Sequence, residues 1–412
     1  MSQVDADLIY DWNEVERRGR LIPKGVTFLD ETLRDGLQNP SVVDPPVEAK
    51  IEILHLMHEI GIDGADIGLP GSSQRAFDDV VKMCKAIQSS KLKIKPGVAG
   101  RTVVGDVTPM IEVSQRVGMP VEAFLFIGSS PIRQLAEEWD VDLIARRSAE
   151  AIDVAVKGGL PVCYVTEDTT RSRPEVVGKL FEMAIDHGAS RLCVADTVGH
   201  ATPDGVRNII SFTKQIVKKS GAKVGIDWHG HNDRGLALEN ALWALEFGAD
   251  RVHGTALGIG ERVGNAAMEL ILLNLKLLGL LEDQDLTRLV DYCRTAAKAL
   301  SWDIAINYPL VGQDAFRTAT GVHAAAIIKA ESKGDAWLAD RIYSGVPAGM
   351  FGRTQEIGIG FMSGASNVTY WLKQRGIEPS KSVVDAVLAA AKKSHHILTE
   401  DEVMAVVHTV AS

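Results

Sequence analysis

The chain has 412 residues, with 44 Lys and Arg against 54 Asp and Glu, a formal net charge of −10. Apolar residues make up 46% and charged residues 24%, which excludes a collagen, a disordered chain and a small disulfide scaffold. The acidic balance speaks against nucleic acid as a partner, since that needs a basic face.

Residues 1–22 read as an N-terminal extension. They carry charges where a signal peptide needs an apolar run. From residue 26 onward, short apolar or β-branched runs alternate with amphipathic helical patterns. The runs are VTFLD at 26, GADIG at 64, KIKPGVAG at 93, EAFLFIG at 122, PVCYVT at 161, SRLCVAD at 190, KVGIDWHGH at 223 and RVHGTALG at 251. Such a beat means parallel strands joined by crossover helices. Eight units over about 250 residues predict an α/β fold, a closed (β/α)8 TIM barrel, over 23–284. A doubly wound sheet would show GxGxxG after its first strand, and DETLRDG stands there instead.

From residue 285 to 412 the beat breaks. This stretch reads as a mostly helical C-terminal appendage of linker and dimerisation subdomains, without a separate regulatory domain. Within it, the Gly-rich stretch 344–364 reads as loop. No apolar run reaches the ~18 uncharged residues of a membrane span. Cys84, Cys163, Cys193 and Cys293 show no CxxC spacing, which suits reduced thiols in a cytoplasmic protein with no membrane partner.

Barrel chemistry sits at the C-terminal ends of strands. Three segments there carry it: DETLRDGLQ at 30–38, HGHND at 229–233 and GIGERVGN at 258–265. His229 and His231, two apart on a strand, share a face and can point at one ion. Two histidines and a carboxylate leave open positions for water or substrate. Asp35 is the natural third ligand, and Asn265 offers a carbonyl oxygen. Spacing supports the grouping: Asp35 to His229 is 194 residues, about 32 for each of six βα units. Arg34 beside the ion suits a developing oxyanion, or forms a structural ion pair with Asp35 or Glu31. The strand ends at 166–171 and 195–200 bring further polar groups, while Thr202 or Asp204 reads as a helix cap.

Together, TLRDG-Q, EDTTRS, ADTVG, HGHND and GERVGN resemble the DRE-TIM metallolyases, and within them the Claisen-condensing acyltransferases. The likeness runs over roughly 25–375 and includes Gly321-Val322-His323 and GFMSGASNV. It implies condensation of acetyl-CoA with a 2-oxoacid, giving a 2-hydroxy-dicarboxylic product and free CoA. The nearest likeness is to 2-isopropylmalate synthase, with homocitrate and citramalate synthases as alternatives. A 3-hydroxy-3-methylglutaryl-CoA lyase-like carbon–carbon lyase is a further one; RDGLQN echoes it, but GIGERVGN lacks that lyase's loop cysteine. The resemblance implies a divalent metal, Mg or Mn with Zn as an alternative, on Asp35, His229 and His231 with Asn265 nearby. Arg34 would stabilise oxyanion charge, Thr197 would hold the substrate carboxylate, and Gln38 would line the pocket. Glu167 and His323 are the candidate bases, and Tyr343 would reach in from the appendage. A homodimer is implied, with His323 contributed by the partner.

The chain departs from the family at several positions. Family members often have Glu at Asp66, His near Arg133, Tyr at His200, His at Thr318 and Lys at Met362. Arg133 with Arg171 would welcome a dicarboxylic oxoacid. Alternatively, Arg133 pairs with Glu137 or Glu138 one helical turn on.

Overall fold

The computed structural model describes residues 8–14 and 22–411. The eight apolar runs form eight parallel strands. They are β1 (Thr27–Asp30), β2 (Gly64–Asp66), β3 (Lys95–Arg101), β4 (Glu122–Gly128), β5 (Val162–Glu167), β6 (Arg191–Asp196), β7 (Gly225–Gly230) and β8 (Arg251–Gly254). Each pairs with the next. β1 also pairs with β8, from Thr27 beside Arg251 to Asp30 beside Gly254, so the sheet closes into a barrel. Helices follow the strands, from Val47–Glu59 after β1 to Met268–Leu277 after β8. This is the TIM barrel that the alternation predicts. Its strands are covered on both faces, which is why they read as near-continuous apolar runs. Thr202 caps the helix Pro203–Ser220, its hydroxyl accepting from Gly205 N.

The barrel interior is packed in layers. Leu29, Ala99, Phe124, Cys163 and Cys193 form an apolar layer. A side chain at Gly97 would run into the Phe124 ring, so the glycine makes that ring's room. At the strand starts lies a charged layer around Asp227, which is fully buried. Arg191 Nε donates to Asp227 Oδ1 at 2.6 Å, and Arg251 Nε donates to Oδ2 at 2.8 Å. Arg251 also forks onto both Glu122 oxygens at 2.8 Å. Against its burial, Arg251 and Arg191 hold the Asp227 carboxyl far below the usual range.

Asp227→Asn removes the anion that Arg191 and Arg251 share and leaves Arg251 only its fork onto Glu122. The expected cost is about 3–5 kcal/mol. A lowered native pKa stabilises fully above the unfolded value of about 3.9 and loses this contribution as pH falls below it. Urea midpoints of wild type and variant should therefore differ widely at pH 7 and begin to converge only below pH about 4. A gap independent of pH would contradict this account.

The described residues up to Asp283, with Lys298–Trp302, form one compact unit; Gln284–Ala297 with Asp303 onward form a second. The second unit contains the helices Gly321–Ser332, Ala365–Gln374, Lys381–Lys393 and Glu400–Ala411. Its core gathers Val368, Leu372, Val387, Ala391 and Val403. The Gly-rich stretch is not all loop: Glu356–Ile357 pairs in parallel with Arg317–Thr318. Two residues are too few to display a strand's alternation. The 1–22 extension falls mostly outside the described residues; within it, Trp12–Glu14 form one 3-10 turn. Among the described residues, no helix is long and apolar enough to cross a membrane. All four cysteines are buried.

Candidate active site

Alternate residues of a strand face the same way, so each strand carries one inward row. On β7 this row is Asp227 then His229, with His231 just past the strand end. On β8 it is Arg251 then His253, and on β5 Cys163, Val165 and Glu167. The upper members of these rows line a cavity of about 120 Å³ with Arg34, Asp35, Gln38 and Thr197. That is well under the ~300–1,000 Å³ of drug-sized pockets. It has room for a small acid, not for a nucleotide thioester.

Beyond β1 the chain turns sharply. Arg34 N and Gly36 N both donate to the Glu31 carbonyl, at 3.1 and 3.0 Å. The turn brings Arg34 and Asp35, neighbours in sequence, to one cavity. Past β8, Asn232 N donates to Gly264 O at 2.8 Å, and His231 bridges to Asn265. The three predicted segments thus meet.

Three candidate ligand atoms converge there. His229 Nε2 and His231 Nε2 are 3.2 Å apart. Asp35 Oδ2 lies 3.5 Å from the first and 3.6 Å from the second. An ion with bonds of about 2.0–2.1 Å sets adjacent donors roughly 3–3.5 Å apart. Burial, then His229 beside it, pushes the His231 imidazole down to about 4, so it presents a lone pair at neutral pH. Against its burial, Arg34 and His229 keep the Asp35 carboxyl below its usual range. Asn265 Nδ2 donates to Asp35 Oδ2 at 2.6 Å, while its buried Oδ1 has no hydrogen-bond partner. Two imidazoles, one carboxylate and an orphaned amide oxygen fit a divalent cation of the Mg, Mn or Zn kind.

Arg34 is held on three sides. Its Nε donates to Asp66 Oδ2 at 2.8 Å, Nη2 lies 2.8 Å from Glu31 Oε1, and Nη1 donates to Gln38 Oε1 at 3.2 Å. The ion pair with Glu31 and a place on the cavity wall therefore coexist. Burial pushes Asp66 up to about 7, although Arg34 pulls the other way. Thr197 Oγ1 accepts from Asp168 N at 2.8 Å, which fixes its hydroxyl at the wall. Burial also raises the Glu167 carboxyl, opposed by Arg133.

The two arginines considered for a distal carboxylate are not brought together on this wall. Arg171 forks onto Asp168 at 2.7 Å through both Nε and Nη2, and the cavity lining does not include it. Arg133 pairs with Glu137 at 3.2 Å, one helical turn on, and approaches Glu167 at 3.7 Å. His323 and Tyr343 lie in the second unit, their rings 4.2 Å apart.

Two buried residues escape the motif reading as members of the site. Glu31 was legible only as an ion-pair partner of Arg34. Its Oε2 lies 2.8 Å from His229 Nδ1, and its Oε1 lies 3.2 Å from His253 Nδ1. Against its burial, Arg34, His229 and His253 hold Glu31 well below its usual range. The available signal was parity: His253 stands two residues after Arg251 on an inward row.

The loop holding Asn265 depends on Gly264, whose φ is +90°. A Cβ there would overlap the Gly258 carbonyl oxygen. Gly264→Ala should cost about 1–3 kcal/mol, lower the melting temperature and weaken metal binding through a displaced Asn265. Calorimetry and metal titration check both. An unshifted melting temperature would show that the loop yields freely.

Comparisons with known proteins return synthases by sequence and HMG-CoA lyases by structure. Residues 25–295 match the HMGL-like family. Homocitrate synthase AksA of Methanopyrus kandleri is 31% identical over 379 residues, covering 90% of this chain and 88% of that protein. The 2-isopropylmalate synthase of Methanocaldococcus jannaschii is 31% identical over 367 residues, covering 88% of this chain and 66% of that protein. The HMG-CoA lyase structure from Bacillus subtilis aligns with a TM-score of 0.56 at 22% identity, covering 69% of this chain and 96% of that one. At that identity the likeness speaks for the barrel alone. With a family match across the barrel and synthase relatives across nearly nine-tenths of the chain, the protein belongs to the HMGL-like family, the DRE-TIM group that its motifs resemble.

Proposed function

We propose that this chain is an acyltransferase that condenses acetyl-CoA with a small 2-oxoacid in the cytoplasm, 2-oxoisovalerate being the first candidate. One observation carries the reading. Asp35, His229 and His231 aim three donor atoms, 3.2–3.6 Å apart, into a small cavity that Arg34, Thr197 and Glu167 also line. The synthase names of the relatives support the same reaction class. A divalent ion held by Asp35, His229 and His231 would supply Lewis acidity toward the keto group.

The chain's own groups account for the remainder. Thr197, fixed by Asp168 N, is placed to bind the oxoacid carboxylate, with Gln38 beside it. Glu167, its carboxyl raised by burial, suits a base that takes a proton from the acetyl methyl group. The methyl carbon then bonds to the keto carbon, whose oxygen gains negative charge and ends as a hydroxyl. Arg34 is the donor aimed at that charge. Water finally cleaves the thioester, leaving a carboxylate and free CoA. His323 is the alternative base, with Tyr343 against it, supplied to the barrel of a partner subunit in a homodimer. A fully active monomer would overturn that sharing.

The test is thiol release from acetyl-CoA with Mg or Mn and a panel of 2-oxoisovalerate, 2-oxoglutarate, pyruvate, oxaloacetate and glyoxylate. Release with one oxoacid, abolished by chelator, is the expected result. Silence with the whole panel, together with cleavage of a hydroxyacyl-CoA, would overturn the synthase reading in favour of a lyase.

A further inference from the structure

We infer that Glu31 is a positioning residue that sets the ring orientation and tautomer of His229, and that His253 in turn holds Glu31. The inference rests on the reading of Asp35, His229 and His231 as metal ligands. Beyond that reading, it assigns a role to two residues of the cavity wall outside the ligand set.

Glu31 is 2% exposed and His253 is 2% exposed. Glu31 Oε2 sits 2.8 Å from His229 Nδ1, the ring nitrogen opposite the one that faces Asp35 and His231. A carboxylate at that distance favours a proton on Nδ1 and leaves the Nε2 lone pair facing the ion site, by its charge and not by an aligned hydrogen bond, since Glu31 Oε2 has no hydrogen-bond partner. Orientation of a ligating imidazole through its far nitrogen is a general device for raising its basicity. The carboxylate needs anchoring of its own, because Arg34 pulls its other oxygen at 2.8 Å. His253 provides this. Its Nδ1 lies 3.2 Å from Glu31 Oε1, and its Nε2 lies 3.0 Å from Asp227 Oδ2. The ring thus spans two buried carboxylates and joins the cavity to the charged layer at the strand starts. Barrel closure creates this link, since Leu29 of β1 pairs with His253 of β8.

Another occupant of the space is conceivable: a second ion among Glu31, His229 and His253, whose ligand atoms also lie within 4.8 Å of one another. The charges of Glu31 and Asp227 on either side of the His253 ring hold it without an ion, while Glu31 Oε2 and His253 Nδ1 make no hydrogen bond; zinc stoichiometry separates the two readings.

The test is a double-mutant cycle on metal affinity, read by competition of the full-length protein with a chromophoric zinc chelator. Glu31→Gln should weaken zinc binding about 10–100-fold, and His253→Gln by less. The double variant should match Glu31→Gln alone, because His253 acts through Glu31. In parallel, ¹⁵N-histidine spectra of the metal-free protein should show His229 protonated on Nδ1 in wild type and shifted in Glu31→Gln. A merely structural role would lower the melting temperature without moving that resonance. Unchanged affinity in Glu31→Gln, or strictly additive effects, would overturn this inference alone. Two equivalents of zinc in wild type, falling to one in His253→Gln, would overturn it in favour of the second ion. No zinc uptake by wild type would overturn the ligand reading itself and this inference with it.

Discussion

His229→Ala is expected to lower thiol release from acetyl-CoA at least about 10³-fold, which corresponds to ~4 kcal/mol of barrier, and to abolish stoichiometric divalent-ion binding. The size follows from the number of donors. Only two imidazole nitrogens and one carboxylate oxygen converge, 3.2–3.6 Å apart, so loss of one removes a third of the charged or basic protein ligands. The substitution also strips Glu31 of its contact at Nδ1 and leaves that buried anion to Arg34 and His253. The effect should fall on kcat rather than on KM for acetyl-CoA, because the cavity is too small to hold the thioester's nucleotide end. Metal content by mass spectrometry and steady-state kinetics check it. A variant that keeps one bound ion and a rate within tenfold of wild type would remove His229 from the site.

The barrel was legible because its signals are local. Each strand is a short apolar run, each crossover an amphipathic helix, and the chemistry sits at strand ends where polar residues interrupt the runs. HGHND could be read for the same reason, since i and i+2 spacing places both rings on one face whatever the rest of the chain does. Glu31 and His253 were hidden for the opposite reason. They are 222 residues apart, and their contact exists only because β1 closes against β8 in one register. The arginines near the mouth show a further limit. Arg133 was balanced between a substrate carboxylate and a pairing with Glu137 or Glu138. The fold places it 3.2 Å from Glu137, while Arg171 is forked onto Asp168. Spacing along a helix offered the Glu137 partner; no local pattern offered the Glu167 contact at 3.7 Å, which crosses between strand ends.

Arg34→Lys should lower kcat about 10²–10³-fold although the positive charge survives. The guanidinium meets Asp66, Glu31 and Gln38 along three separate directions, at 2.8, 2.8 and 3.2 Å. An ammonium is a point charge on a flexible stem and cannot reproduce that fork. It would settle toward the two carboxylates and withdraw from the developing oxyanion. Arg34→Met separates the catalytic loss from the electrostatic one. It leaves Glu31 and Asp66 buried without their common cation, an expected penalty of about 3–5 kcal/mol at neutral pH. Asp66 already titrates at about 7 with Arg34 in place, raised chiefly by burial, and removal of the cation raises it further. A carboxyl whose native pKa is raised stabilises below its unfolded value of about 3.9 and loses that contribution as pH rises through the native one. Arg34→Met should therefore be best tolerated near pH 5 and lose stability toward pH 8, where Asp66 too is driven to ionise beside Glu31. Urea midpoints at the two pH values measure this. If Arg34→Lys keeps kcat within tenfold of wild type, the fork is not what meets the oxyanion. If Arg34→Met is equally stable at both pH values, the paired carboxylates do not share the cation in the way their distances indicate.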